Sequence, residues 1–192
     1  MASGDSVSPP AAPRTPPLTD RPELAARTVA LLRTKSALFD LDEAEARCIV
    51  DYMRVVNLPR GATVFREGDA ARTDHLLLIL AGDVSVDMSD GERVDGLPVS
   101  VLGPGSVVGE MALLDGGPRS ATCTAMNDVI AAGISRAGLQ RLAHDHPQVA
   151  LRLMVAIAQR VGDRLRALGE QLRLYARLNA EQAARLAELE RR

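Results

Sequence analysis

The sequence predicts an α+β fold: a small antiparallel β barrel or roll with helices before it and one long helix after it. Three observations carry this expectation. Between Thr63 and Ile134 short apolar runs alternate with glycine-bearing turns, the spacing of an all-β unit. On either side of that stretch apolar residues recur at helical intervals. From Leu151 onward the interval becomes a sustained heptad, which needs a helix longer than one globular layer. A chain of 192 residues holds one well-buried domain with segments outside it.

Residues 1–21 consist mostly of Pro, Ala, Ser and Thr. Such a segment cannot bury enough apolar surface to offset chain entropy, and a disordered tail is expected. Its Pro10-Ala11-Ala12-Pro13 and Pro13-Arg14-Thr15-Pro16 stretches have polyproline spacing but read as part of that tail. Pro22 suits the first turn of a helix, where its missing amide is not needed, and Leu24, Thr28, Leu31 and Leu32 follow on one face. A second helix starts at Asp42, which has capping-box spacing to Glu45; Ala46, Ile49, Val50 and Met53 form its apolar side. Leu58-Pro59-Arg60-Gly61 ends it and turns the chain into strands.

In the strand region, turns fall at Gly68-Asp69, Gly82-Asp83, Asp90-Gly91, Gly103-Pro104-Gly105 and Gly116-Gly117-Pro118. Val84, Val86 and Met88 alternate with Ser85 and Asp87, as a half-buried strand requires. This spacing leaves a jelly roll and other sandwiches equally open. Gly109 to Leu114 reads as one helical turn interrupting the strands, after which Thr122, Thr124 and Met126 resume them.

Helix returns after Ser135, and Pro147 opens a very long one. Leu151, Ala158, Leu165, Leu172, Asn179 and Leu186 share one heptad position; Met154, Val161, Leu168, Tyr175, Gln182 and Leu189 share the other. That pattern predicts a coiled coil, with Asn179 at an inward position that favours two strands and Arg185 and Glu190 placed to pair between parallel helices. The first turns, widened by Val155 and Ile157, are expected to pack on the roll; the stripe beyond Gly162 is expected to meet a partner. Gly162 and Gly169 weaken the helix locally. The expected organisation is a tail at 1–21, a roll with flanking helices at 22–146, and a dimerisation helix at 147–192.

One segment carries chemistry. Gly109-Glu110-Met111-Ala112-Leu113 is followed, after a short gap, by Pro118-Arg119-Ser120-Ala121-Thr122. The amides that open a helical turn are unpaired and favour an anion. Arg119 offers a fork of donors that fits two phosphate oxygens. Glu110 cannot serve the phosphate and needs hydroxyl donors, such as those of a ribose. Together they make a nucleotide-monophosphate site.

Other chemistry finds no candidates. There is no phosphate-cradling glycine–lysine loop, nucleophile–base constellation or zinc spacing, so no catalytic or metal-ligating residue is expected, and the chain does not read as an enzyme. His144 and His146 flank Asp145 at the start of a helix, and His75 begins a strand; these are ordinary rim and cap positions. Tyr175 reads as packing on the heptad stripe. Cys48 and Cys123 read as reduced core cysteines. The formal net charge of −2 gives no global attraction for nucleic acid or an anionic membrane. The apolar run Leu76 to Ala81 is too short to span a bilayer, and Met1 to Ser8 lacks the features of a secretory signal. A cytoplasmic protein is expected.

The Gly109–Leu113 and Pro118–Thr122 motifs resemble the phosphate-binding cassette of the cyclic nucleotide-binding domain family, which includes the bacterial catabolite activator protein and the regulatory subunits of cAMP-dependent protein kinase. Gly61 to Asp69, Leu76 to Val84 and Leu102-Gly103-Pro104-Gly105 add to the likeness, which spans roughly residues 36–165. Val108 departs from it, because the family usually has an aromatic residue before the Gly-Glu pair.

The resemblance implies a jelly-roll-like β-roll whose ligand is cAMP or cGMP, with no other cofactor. It implies that the phosphate sits on Arg119, the amides around Met111 and Ala112, and the Ser120 hydroxyl. Glu110 accepts from the ribose 2′-hydroxyl, and Gly109 permits close backbone approach. Arg119 is expected to be buried in the empty roll, so that ligand supplies its counter-charge and shifts the helix after Pro147. Ser120 after the arginine tilts the choice toward cAMP. At the base, the long helix presents Arg164 and Leu165, so base recognition is expected to differ from that of the catabolite activator.

The output implied is a homodimer through residues 151–189, with a protein effector as a further partner of residues 165–192. Arg152, Arg160, Arg164, Arg166, Arg173 and Arg177 make the long helix basic, but such a face is usually solvated. The sequence ends at Arg192 still in heptad register, and direct DNA binding is not expected. Two other readings stand beside this one: a dimerisation module whose pocket has lost its ligand, and a transcription-regulator relative without its helix-turn-helix.

Overall fold

A computed structural model of the protein describes residues 15–34, 41–87 and 98–189. Helix α1 (Pro22–Leu32) and helix α2 (Glu43–Val50) precede eight strands: β1 (Arg54–Leu58), β2 (Thr63–Phe65), β3 (His75–Ala81), β4 (Val84–Asp87), β5 (Pro98–Leu102), β6 (Val107–Val108), β7 (Thr122–Ala125) and β8 (Val129–Ser135). Helix α3 (Glu110–Asp115) interrupts the strands, and α4 (Arg136–Asp145) and α5 (Pro147–Leu189) follow them. The strands form two antiparallel sheets, ordered β1-β8-β3-β6 and β2-β7-β4-β5. This is the expected α+β architecture with an antiparallel roll.

The burial pattern explains why β3 is an unbroken apolar run. Leu77 and Ile79 join Phe65, Val84, Val86 and Ala131 in the core between the sheets. Leu76, Leu78 and Leu80 point the other way, into a second core shared with α1, α2, α4 and α5. A strand covered on both faces has no polar side to alternate with. β4, covered on one face only, alternates buried Val84 and Val86 with half-buried Ser85 and Asp87 as expected.

Pro22 opens α1, and Asp42 and Glu45 form a reciprocal capping box at α2. Ala46, Ile49, Val50 and Met53 are all buried, and Ser135 caps α4 by accepting from the Gly138 amide. The expected tail extends too far, however. Leu18 is fully buried, its amide donates to the Met53 carbonyl, and the Val55 amide donates to the Pro16 carbonyl. One large apolar side chain and an exposed strand edge are enough to order a proline-rich segment. Residues 1–14 lie outside the described residues, as do Met88 and the Asp90-Gly91 turn.

A second correction concerns β1. α2 ends at Val50, and Arg54–Leu58 already pairs with β8, Val55 facing Ala132. Strand structure therefore starts before the Pro59-Arg60-Gly61 turn, because β-branched Val55 and Val56 find β8 rather than extending the helix. Thr122 and Thr124 return to strand as β7, which ends at Ala125, one residue short of Met126.

α5 is a single helix of 43 residues, about 65 Å at 1.5 Å per residue. Gly162 and Gly169 lie within it without breaking it. Ala150, Leu153, Ala156 and Ile157 are buried against the body, while Val155, expected to join them, is 48% exposed. The heptad residues Leu151, Leu165, Leu172 and Tyr175 are exposed, because the packed face lies elsewhere around the helix. The side chains of Leu186 and Leu189, and residue Glu190, lie outside the described residues.

Candidate functional site

β6 delivers the chain into Gly109, which caps α3 with φ 82°. A Cβ at this position would also lie 2.6 Å from Arg119 Nη1 and 2.7 Å from Phe65 Cε2. Glycine is thus required twice, by the left-handed backbone and by the approach of Arg119. Gly116 closes the helix in the same conformation, its amide donating to the Ala112 carbonyl.

Arg119 is 3% exposed. Its Nε donates to the Arg72 carbonyl at 2.9 Å, Nη1 to the Gly109 carbonyl at 3.0 Å, and Nη2 to the Arg72 and His75 carbonyls at 2.5 and 3.0 Å. The guanidinium lies 3.7 Å from the centroid of the Phe65 ring. Phe65 also contacts the His75 ring, so β2 and β3 together build the floor under Arg119. Val108, where the resemblance leads one to expect an aromatic residue, is buried, and the aromatic contact comes from Phe65.

Among the described residues Arg119 has neutral acceptors but no ion-pair partner. Burial pulls its pKa below the usual arginine value; Asp74, Asp69 and Glu110 oppose that from a distance. An arginine does not discharge by losing its proton under ordinary conditions, so a buried positive charge without an adjacent anion remains. One of its five N–H groups has no acceptor among these carbonyls.

Glu110 opens α3 and is 2% exposed. Its Oε1 accepts from Arg164 Nη1 of α5 at 3.1 Å. Ala112 is buried, and its carbonyl accepts from Arg136 at the start of α4 at 3.2 Å. Met111 is 40% exposed beside Ser120, whose hydroxyl lies 3.5 Å from the Met111 sulfur. All six expected site residues, Gly109, Glu110, Met111, Ala112, Arg119 and Ser120, therefore meet around one opening.

That opening widens into a cavity of about 480 Å³ between the roll and α5. Glu110, Met111 and Ser120 line one side, and Arg160, Arg164 and Leu168 line the helix side. Arg160 is half-buried with no hydrogen bond among the described residues, and burial pulls its pKa below the usual value. Of the two α5 residues expected near a base, Arg164 faces the cavity and Leu165 is 70% exposed. Arg160 and Gln171 were not expected there. The spacing of Arg160, Arg164, Leu168 and Gln171 by four, four and three marks them as one helix face, a signal hidden by the neighbouring heptad.

The described residues contain no group of three or more His, Cys, Asp or Glu that could hold a metal ion, and no helix long and apolar enough to cross a membrane. Cys48 and Cys123 are unpaired, and burial pushes the Cys123 thiol up to about 11.

The model of the cyclic nucleotide-binding domain matches residues 55–146, from β1 to the residue before α5. A cyclic nucleotide-binding domain from Methylobacillus flagellatus KT has the same fold at TM-score 0.66 and 31% identity, with 76% of this chain and 80% of that one covered. The catabolite activator protein of Thermus thermophilus gives 0.61 at 28% identity, with 76% and 62% covered. The CRP-like cAMP-activated global transcriptional regulator of Mycobacterium tuberculosis is 30% identical over 109 residues, 57% of this chain and 47% of that protein. The chain belongs to the cyclic nucleotide-binding domain family. It spans between 26% and 50% of the length of the curated relatives it matches.

Proposed function

We propose that the protein is a cytoplasmic cyclic nucleotide sensor that takes cAMP, with cGMP second, in the cavity between the roll and α5. The observation that carries this reading is a buried Arg119 with no ion-pair partner among the described residues, near a buried Glu110 that lines the cavity. A cyclic phosphate supplies the missing negative charge, and the amides of Met111 and Ala112 and the Ser120 hydroxyl add donors. Glu110 accepts from the ribose 2′-hydroxyl. Ser120 after Arg119, and a relative named as cAMP-activated, support the choice of cAMP.

Because Arg164 of α5 reaches Glu110, occupancy bears directly on the placement of α5. We take pairing of the exposed stripe beyond Gly162 with a second copy of the chain as the output, with a separate effector protein as a further partner of the same surface. A second reading, a dimerisation module without ligand, draws support from the four carbonyl contacts that already satisfy most of the Arg119 donors.

Calorimetry with cAMP and cGMP separates the two. Binding by the whole chain, weakened about 100-fold or more in Arg119→Ala, is the expected result. No heat from either nucleotide at about 50 µM leaves the ligand-free module.

A further inference from the structure

We propose that Met111 is a modification site: oxygen transfer from a hydroperoxide to its sulfur lowers the affinity of the cavity for a cyclic nucleotide. This rests on the sensor reading above and gives the same site an oxidative control.

Along the start of α3, Glu110, Ala112 and Leu113 are buried, whereas Met111 is 40% exposed. Its side chain lines both the opening at Arg119 and the wider cavity beside α5. The Ser120 hydroxyl donates to the Met111 sulfur at 3.5 Å. A thioether is a weak acceptor, so that hydroxyl loses little when a phosphate oxygen takes it instead.

Oxidation reverses that preference. The O–O bond of the hydroperoxide breaks, one oxygen joins the sulfur, and the other leaves as water or alcohol; the sulfur is oxidised and the peroxide reduced. The product is a polar sulfoxide in place of a flexible apolar side chain. Its oxygen carries partial negative charge and accepts strongly. Bonded to a sulfur 3.5 Å from Ser120, it competes with a phosphate for the hydroxyl and sets like charge beside the anion.

The other sulfur groups supply the contrast. Met126 is 49% exposed but lines neither the opening nor the cavity. Met53 is 2% exposed, and Met154 is partly buried against the same core. Exposure therefore singles out Met111 and Met126 among the described methionines, and of these two Met111 stands at the cavity. Cys123 also lines the opening, but burial pushes its thiol up to about 11, which keeps the peroxide-reactive thiolate scarce at neutral pH.

The full chain is treated with hydrogen peroxide, mapped by mass spectrometry, and titrated with cAMP before and after treatment. Met111 and Met126 are each expected to gain one oxygen, with Met53 unmodified, and the Kd for cAMP is expected to rise roughly ten-fold. Saturating cAMP during treatment is expected to slow oxidation of Met111 and not of Met126. Methionine sulfoxide reductase is expected to restore the affinity, and dithiothreitol alone is not. Met126→Leu is expected to keep the peroxide-induced loss. Met111→Leu, compared with itself before and after treatment, is expected to change by less than about two-fold.

Met111 left unmodified while Met126 is oxidised overturns the proposal, as does a modified Met111 with the affinity unchanged. A loss that persists in Met111→Leu, or that dithiothreitol reverses, overturns it as well. Thermal melts accompany each titration, and an oxidised chain without a melting transition also overturns it, because the affinity is then lost with the fold. Wild type that binds neither cAMP nor cGMP before treatment removes the sensor reading, and the oxidative control with it.

Discussion

From Pro147 to Ile157, α5 buries Ala150, Leu153, Ala156 and Ile157 against the body of the protein, whereas from Glu170 to Gln182 every described residue is exposed. Both halves belong to one helix and carry the same mixture of leucine, alanine and arginine. The near half is tied down further by Arg152 on Glu45, and at its root the hydroxyl of Tyr52, in the turn after α2, donates to Asp145 at the end of α4. The far half leaves Leu172 69% and Tyr175 64% exposed. The difference teaches that an apolar stripe is an offer of burial; the roll accepts it at one end, and at the other none of the described residues does. Between the halves stand Arg160 and Arg164, where the helix changes from core element to cavity wall.

The largest test of that contrast is to cut the chain after Gly162. Light scattering is expected to find a dimer for the whole chain and a monomer for the shortened one. A shortened chain that still dimerises would place the interface on the near half or the roll. Next, Leu153→Ala is expected to cost about 3 kcal/mol in urea unfolding, from lost transfer and a residual cavity. Leu172→Ala is expected to stay within about 0.5 kcal/mol for roll unfolding under conditions where the chain is monomeric. Similar costs at both sites would erase the distinction between the halves.

A smaller effect reports on the root of α5. The hydrogen bond to Asp145, followed by burial and the Asp145 charge, pushes the Tyr52 phenol from 10.0 up to about 12. The folded state therefore favours the neutral phenol. Its stabilising contribution is whole below pH 10.0 and is lost as the pH rises to about 12. In Tyr175→Phe, which leaves Tyr52 as the one tyrosine, phenolate absorbance is expected to rise near pH 12. A rise near pH 10 would show that the Tyr52–Asp145 contact is loose in solution.

Much of the site was legible because its parts are close in sequence. Gly109 through Ala112 are contiguous, and Arg119 stands at a fixed short offset, so their residue types could be read as one constellation. The capping box at Asp42 and Glu45 was legible for the same reason. Arg119's partners were not: the carbonyls of Arg72 and His75 come from the turn before β3 and from its first residue, and backbone carbonyls carry no residue signature. Leu18 and β1 escaped because each is defined by what it touches, Met53 in one case and β8 in the other.

By itself, the sequence determined the alternation of strands and glycine turns, the helix starts at Pro22, Asp42 and Ser135, and the grouping of Gly109 to Ala112 with Arg119 and Ser120. These depend on local spacing, capping and backbone permissiveness, which act over a few residues. Tertiary structure alone decided which face of α5 is core, that Glu110 is met by Arg164, and that Arg119 is buried on carbonyls above Phe65. Those outcomes depend on which surfaces meet once the two sheets and the helices have closed, and heptad spacing does not say whether a stripe will find the roll or be left open.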